Sequence, residues 1–485
     1  MLLGLPFLSW HGRRFGPPLL RDNQYSAFVQ DDWKITDDLT VNLGVRYEYY
    51  TPLFSPSNEL SMFDIDKGEM VIAEQGGESR YIINPDRNNV APRAGFAYKV
   101  NDKTTVRGGY GMFFTPENAG RDDIKFNPPF YRQYEVFDGW TFDELPPPFV
   151  DPGAFPTGYQ TYNIDRAFQR GYSHQYNLAV QREIPGGFLV EAAYVGSQGH
   201  NLPFSVNINQ ARADGTPAPF PELGNVGVVK ALGDSSYHSG QFKLERRLSQ
   251  GVFVLATYTW SKSIDTLTSP SRGAGGVQNI FDPSQNRGLS DWDVPHRFAL
   301  SYVWELPFGK DRRWGNDRGP IAEALLGNWQ MTGIFAARSG TPANVTVGSP
   351  IPGGDARPNL LHDPNLPASE RTPDRWFDTT AFVASKAPDG TLLPGDAGRN
   401  IVRGPGYVNL DLGLIKFIAL GDHMRLQLRT EIFNVTNTPH FANPVVRMSD
   451  PSFGRITHTR NPINFGSTAT SYASRMIQFA LKLEF

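Results

Sequence analysis

Cysteine is missing altogether from these 485 residues. That excludes a disulfide scaffold, thiolate zinc, iron–sulfur clusters and a cysteine nucleophile. An excess of either charge is missing too: 46 Lys and Arg against 49 Asp and Glu leave a net charge of −3, so the chain carries no basic footprint for nucleic acid. No apolar run approaches the roughly 20 residues that a membrane-crossing helix needs, and the mean hydropathy is −0.39. Catalytic signatures are equally scarce. There is no Gly-x-Ser-x-Gly, His-Glu-x-x-His, phosphate loop or calcium loop, and Gly109-Tyr110-Gly111 lacks the third glycine of a dinucleotide fingerprint. His174, His200, His238, His296, His423 and His440 are scattered along the chain, which gives little support to a metal site. The residues call for no cofactor and read as a non-enzyme. An exported protein should begin with a basic segment, an apolar core and a small-residue cleavage site. The first ten residues offer only the run from Leu2 to Leu8, broken by Gly4 and Pro6.

What the chain does have is aromatic side chains, 13% of the total, and a period of two. Leu39, Val41, Leu43, Val45, Tyr47 and Tyr49 alternate with Thr40, Asn42, Gly44, Arg46 and Glu48, for longer than an ordinary strand of about five or six residues. The pattern recurs near 24–35, 93–100, 104–114, 174–184, 188–197, 237–248, 254–260, 297–305, 328–339, 408–414, 425–432 and 476–485. That makes about thirteen strands, each close to the 9 to 11 residues of a tilted transmembrane strand. Short polar turns such as Asn101-Asp102-Lys103 and Ser249-Gln250-Gly251 follow every second strand, and long Pro/Gly/Asp-rich segments follow the others, at about 51–89, 115–172, 198–236, 263–293, 340–404 and 435–469. One connection on the short side, 308–326, is longer. A β-propeller would instead repeat every 40 to 50 residues with similar loops. The pattern predicts an all-β fold: a transmembrane antiparallel β-barrel with long extracellular loops and short periplasmic turns, in the outer membrane of a Gram-negative bacterium.

Bacterial single-chain barrels have an even number of strands, and thirteen is odd. If 24–35 runs downward, residues 1–23 are the remnant of an extracellular loop and 24–485 are part of a larger barrel. The expectation is a fragment without its leader, and not a complete functional unit.

Several segments resemble a known family. Tyr25-Ser-Ala-Phe-Val-Gln-Asp-Asp-Trp-Lys34 followed by Leu39-Thr-Val-Asn-Leu-Gly-Val-Arg-Tyr-Glu48 resembles a strand pair of TonB-dependent outer-membrane receptors. Ala91-Pro-Arg-Ala-Gly-Phe-Ala-Tyr98, Thr105-Val-Arg-Gly-Gly-Tyr-Gly111, Asp291-Trp-Asp-Val-Pro-His-Arg-Phe298 and Phe433-Asn-Val-Thr-Asn437 are similar to the Oar-like branch, which carries a carboxypeptidase-regulatory-like domain at its N-terminus. The resemblance implies a barrel of about 22 strands with an N-terminal plug and a TonB-contacting segment, neither of which is matched here. It further implies energised import of a scarce nutrient of the siderophore, oligosaccharide or peptide class, with TonB engaged through that unmatched part. The alternative is an adhesion or envelope-organising barrel without active transport.

Candidate residues follow from this reading. Phe479, Leu481, Leu483 and the terminal Phe485 resemble the signal read by the barrel-assembly machinery. Tyr47, Tyr49, Tyr50, Phe113, Phe114, Tyr258, Trp260, Tyr302, Trp304 and Trp329 fit interfacial girdles against outer-membrane lipid. Arg46, Glu48, Lys243, Glu245, Arg297, Arg425, Arg429, Glu431, Lys482 and Glu484 would face the lumen, chiefly as structural pairs. Phe130, Tyr131, Tyr134 and Trp140, on a proline-rich loop, could offer aromatic faces to an unknown extracellular ligand, against the blander reading of a loop packed on itself.

Overall fold

The computed structural model describes residues 8–14, 19–115, 122–137, 161–210, 212, 216–223, 226–266, 277–310, 312–315, 319–351, 354–421, 424–459 and 474–485. A single antiparallel meander dominates it. Its thirteen strands, each hydrogen-bonded to the next in sequence, are β1 (Gln24–Lys34), β2 (Leu39–Tyr50), β3 (Val90–Asn101), β4 (Thr104–Phe114), β5 (Tyr172–Ile184), β6 (Phe188–Asn207), β7 (Val226–Ser249), β8 (Val252–Asp265), β9 (His296–Glu305), β10 (Trp329–Arg338), β11 (Tyr407–Ala419), β12 (Arg425–Phe433) and β13 (Met476–Glu484). The one α-helix among the described residues is α1, Pro320–Leu326. The thirteen strands expected from alternation are all present, and the expected all-β class holds.

Because paired residues in an antiparallel ladder share a face, the register sorts the side chains of the whole sheet. Tyr25, Val29 and Trp33 of β1 oppose Tyr49, Val45 and Val41 of β2, which continue into Phe96 and Tyr98 of β3. This face is apolar yet uncovered: Val29 is 73% exposed and Phe479 76%, where a water-soluble protein would bury its apolar register. Ile477, Leu481, Leu483 and Phe485 share the exposed face. The opposite face carries ion pairs between residues two apart: Arg46 with Glu48, Lys243 with Glu245 at 2.7 Å, and Lys482 with Glu484 at 2.8 Å. Alternation also corrects two girdle assignments. Tyr50 and Phe113 follow or precede apolar-face neighbours, so they turn to the polar face, where Arg170 lies 4.0 Å from the Tyr50 ring and Arg93 5.7 Å from that of Phe113.

Glycines on the apolar face admit aromatic rings from the neighbouring strand. Tyr302 lies across Gly333 and Tyr176 across Gly196, so closely that a β-carbon at either glycine would collide with the ring. At the β7–β8 turn, Gln250 (φ 51°) and Gly251 (φ 75°) both adopt the left-handed region, as a tight two-residue hairpin requires.

The strands differ in length. β6 has 20 residues and β7 has 24, well beyond what a bilayer needs, and their excess stands on the long-loop side. There Phe204, Val206, Val226 and Val228 are buried among loop residues. The hydrophobic cores are therefore built from the loops, in clusters such as that of Leu60, Met62, Ile82 and Phe168, and that of Val345, Phe377 and Val402.

Candidate functional site

Five consecutive strands align one row of polar-face side chains near the long-loop end. Gln241 of β7 opposes Thr259 of β8, which opposes Arg297 of β9, then Arg338 of β10, then Tyr407 of β11. Strand register alone brings these residues together across more than 160 positions of sequence. The Arg338 guanidinium lies 5.1 Å from the centre of the Tyr407 ring, within cation–π range. Above the row, Trp292, Thr341, Asn443 and His458 come from three different connections and complete a cavity of about 690 Å³. That volume suits a small organic ligand. Trp292 is 75% exposed, a large aromatic surface at the rim.

Chemically, the row sets two guanidinium groups directly opposite each other, flanked by hydroxyls and an aromatic ring. Like charges in directly opposed positions oppose each other's presence, and an anion placed between them would relieve that repulsion. Arginine forks match carboxylate, catecholate or phosphate oxygens.

Three arginines, Arg357 and Arg399 of them buried, fix the roof. Arg399 donates to the backbone carbonyls of Asn286 (2.9 Å) and Asp265 (2.7 Å) and pairs with the Asp265 carboxylate. Arg403 pairs with Asp293 at 2.6 Å. Arg357 donates to Asn286 Oδ1 and to the carbonyls of Ala397 and Gln285; burial, together with the nearby Arg399 charge, pushes its guanidinium down to about 10. These three side chains tie the connection after β8 to the one after β10, and so hold Asp291 and Trp292 over the cavity. A second loop clamp lies elsewhere. Arg166 reaches Glu78 at 2.8 Å and Asp64 at 2.7 Å, and Lys67 reaches Glu78 at 2.9 Å. Hydrogen bonds from Arg166 and Lys67 pull the Glu78 carboxyl down to about 2.

The loop aromatics expected as a ligand platform lie apart from this cavity. Phe130 and Tyr131 are half-buried and do not line the cavity. The Tyr131 ring packs 4.9 Å from Phe126, beside Asn127, whose side chain bonds the backbone of Ser61 and Tyr162. Tyr134 belongs to a strand, Tyr131–Phe137, that pairs with Leu8–Arg14, and Trp140 lies outside the described residues. Arg297 stands on the polar face as expected. Arg338, Tyr407 and Trp292 of the cavity were not foreseen as a set, because only the pairing of distant strands unites them. The scattered histidines also acquire a pattern: Tyr110–His174 (2.8 Å), Tyr194–His238 (2.7 Å) and Tyr258–His296 (2.8 Å) form cross-strand couples on the apolar face.

Residues 1–478 match the family model described as outer membrane beta barrel domain. No curated protein matches the chain. Among solved structures, the chain is similar to FpvA of P. aeruginosa bound to a heterologous pyoverdine–iron complex, at 12% identity over 96% of this chain and 38% of that one, with a TM-score of 0.46. The outer membrane transporter YddB from Escherichia coli gives 10% identity, 95% and 45% coverage and a TM-score of 0.48. The ferric-catecholate import receptor Fiu from E. coli gives 12%, 96%, 45% and 0.45. The chain thus spans less than half the length of these solved structures.

Proposed function

From the premise that the chain belongs to the outer membrane beta barrel domain family, a protein of the Gram-negative outer membrane, we propose that it forms part of a TonB-dependent receptor of the Oar-like branch and imports an anionic nutrient. The motifs 25–34, 39–48, 91–98 and 291–298 support the branch. In this reading 1–23 belongs to the extracellular side and 24–485 to the barrel, the apolar register faces lipid, and the polar face lines the lumen. TonB engagement belongs to a plug and contacting segment. Phe479, Leu481, Leu483 and Phe485 present the assembly signal, and the aromatics at 130–140 contribute at most an outer platform.

The observation that carries the ligand class is the Arg297–Arg338 opposition beneath Trp292. Two guanidiniums favour an anionic chelate or an acidic peptide over a neutral oligosaccharide. Quenching of Trp292 fluorescence in the purified protein by a ferric catecholate, an acidic peptide and a neutral oligosaccharide tests this. Saturable quenching by an anionic probe, lost in the Arg297→Gln/Arg338→Gln double variant, is the expected result. Quenching by the neutral sugar alone would overturn the ligand class. Uptake of the same anionic probe by producing cells, insensitive to a protonophore, would overturn energised import.

A further inference from the structure

The long connection on the short-turn side carries an exposed apolar surface that the transport reading does not use. It joins β9 to β10, its described residues are 306–310, 312–315 and 319–328, and its helix α1 is fixed to the apolar face of the wall. Lys416 stands on the apolar register of β11, directly opposite Trp329. Instead of meeting lipid it is buried, with its ammonium donating to the carbonyls of Glu323 (3.3 Å) and Gly327 at the C-terminal end of α1 and lying 5.6 Å from the Trp329 ring. A cation there satisfies carbonyls that a helix end leaves unpaired. The Trp329 indole N–H donates to Leu325 O at 2.9 Å. Glu323 turns inward, accepting from the Lys310 backbone N–H (2.7 Å) and from Asn328 (3.0 Å). The helix is thus held by three polar anchors, none of which uses its apolar side chains.

Those side chains point away from the protein. Ile321 and Leu325, one turn apart, are 78% and 65% exposed, and Leu326, Phe308 and Trp314 are exposed beside them. The Phe308 and Trp314 rings pack 5.4 Å apart, with the Arg313 guanidinium 5.3 Å from Trp314. Lys310 lies on the same connection, where Arg312 is held by Glu305 at 2.9 Å. On the same face of the wall, Trp304 of β9 is exposed and pairs with Met331, two residues from Trp329. Apolar residues on one side with basic and Trp residues at the margin are the makings of an interfacial segment. The apolar face carries further cations at this end, Arg182 and Arg246, the latter 5.5 Å from the Phe188 ring. The acidic Asp31 stands on the same face near the short-turn end of β1.

We propose that Phe308, Lys310, Arg313, Trp314 and the helix Pro320–Leu326 form an interfacial anchor seated in the periplasmic leaflet. Ile321, Leu325, Leu326 and Trp314 enter the acyl boundary, while Lys310 and Arg313 meet anionic phospholipid headgroups. The partner is a phospholipid surface and not a periplasmic protein, because the exposed side chains extend a wall that already faces lipid.

The absence of cysteine makes the test direct. Leu325→Cys and, as a water-exposed control on the same side, Asp102→Cys are each labelled with an environment-sensitive fluorophore in the full chain and reconstituted in vesicles. The vesicles contain phosphatidylcholine with or without about a third phosphatidylglycerol, plus lipids bearing a spin-label quencher at shallow or deep positions. The expected result is a blue-shifted emission at 325 quenched severalfold more by the shallow quencher than at 102. That difference should grow with phosphatidylglycerol and lose the growth in a Lys310→Gln/Arg313→Gln background. Equal quenching at 325 and 102 would overturn the anchor, as would a blue shift without any lipid quenching, which indicates a protein contact. Quenching indifferent to phosphatidylglycerol would overturn the headgroup assignment. None of these readouts depends on the transported ligand.

Discussion

Arg297 and Arg338 face each other across the β9–β10 ladder on the polar side of the sheet, with Tyr407 next in the row. Opposed like charges are a local cost of about 0.2 to 1 kcal/mol in a sheet. The alternating pattern would be kept just as well by neutral polar residues at both positions. In the proposed reading these two cations, with the Asp291 carboxylate also on the cavity wall, take part in binding an anion.

The first prediction concerns that pair. Arg297→Gln should leave the empty protein as stable or more stable by up to about 1 kcal/mol, while weakening capture of an anionic ligand by about 10- to 100-fold, the range for a lost charge-assisted hydrogen bond. Urea unfolding in detergent and a binding titration on the same preparation report the two effects. A variant that loses stability and keeps affinity would contradict the assignment.

A second prediction separates the two faces of one strand. Leu428 lies on the apolar face of β12 opposite Leu481, and its neighbour Gln427 lies on the polar face opposite Lys482. Leu428→Arg should cost about 2 to 4 kcal/mol near the bilayer centre, whereas Gln427→Arg should cost much less. Heat-modifiable gel mobility after outer-membrane assembly is the measurement. Equal impairment of the two variants would show that the apolar register does not meet lipid.

The strands were legible because a half-apolar wall imposes period two on each of them, as in 39–50 and 476–484, and because loop chemistry punctuated them at Gln250-Gly251 and Asp102-Lys103. The extensions of β6 to Asn207 and β7 from Val226 were not legible. Both faces of those extensions pack against loops, so residues such as Phe204 and Val206 lose the contrast between lipid and water. The cavity was only partly legible for a related reason. Arg297 announces its face by alternation with Phe298, but its partners come from register between distant strands and from roof segments such as Trp292. The helix 320–326 escaped notice because it is short, and its anchor Lys416 sits where alternation predicts an apolar residue.

A third prediction tests the roof. The Arg399 and Asp265 side chains are 6% and 9% exposed, and removing one partner of a buried pair costs about 3 to 5 kcal/mol. In Arg399→Ala the loss should fall on the connections after β8 and β10, leaving the wall intact. Limited proteolysis should then cut within 277–293 or 340–404 much faster than in the parent protein, with heat-modifiable mobility unchanged. Cleavage at the parental rate would mean that the arginine does not hold the roof.

The fourth prediction follows from the clamp of Arg166 on Glu78 and Asp64. The Glu78 carboxyl titrates at about 2 in the folded protein, against 4.5 for the free group, because Arg166 and Lys67 donate to its ionised form. A carboxyl whose folded value is depressed adds stability that is fully present above its unfolded value and is lost as pH falls through the folded one. The packing of 51–83 against 161–170 should therefore be constant above about pH 5 and weaken progressively from about 4.5 down to about 2. Hydrogen exchange at Met62, Val71 and Ile83, corrected for the intrinsic pH dependence of exchange, should show protection falling across that window. Glu78→Gln should already be less protected at pH 7 and should change less on acidification. Protection in the parent protein that stays flat from pH 5 to pH 2.5, or a Gln variant with the parent's full acid response, would show that this carboxylate does not hold the loops together.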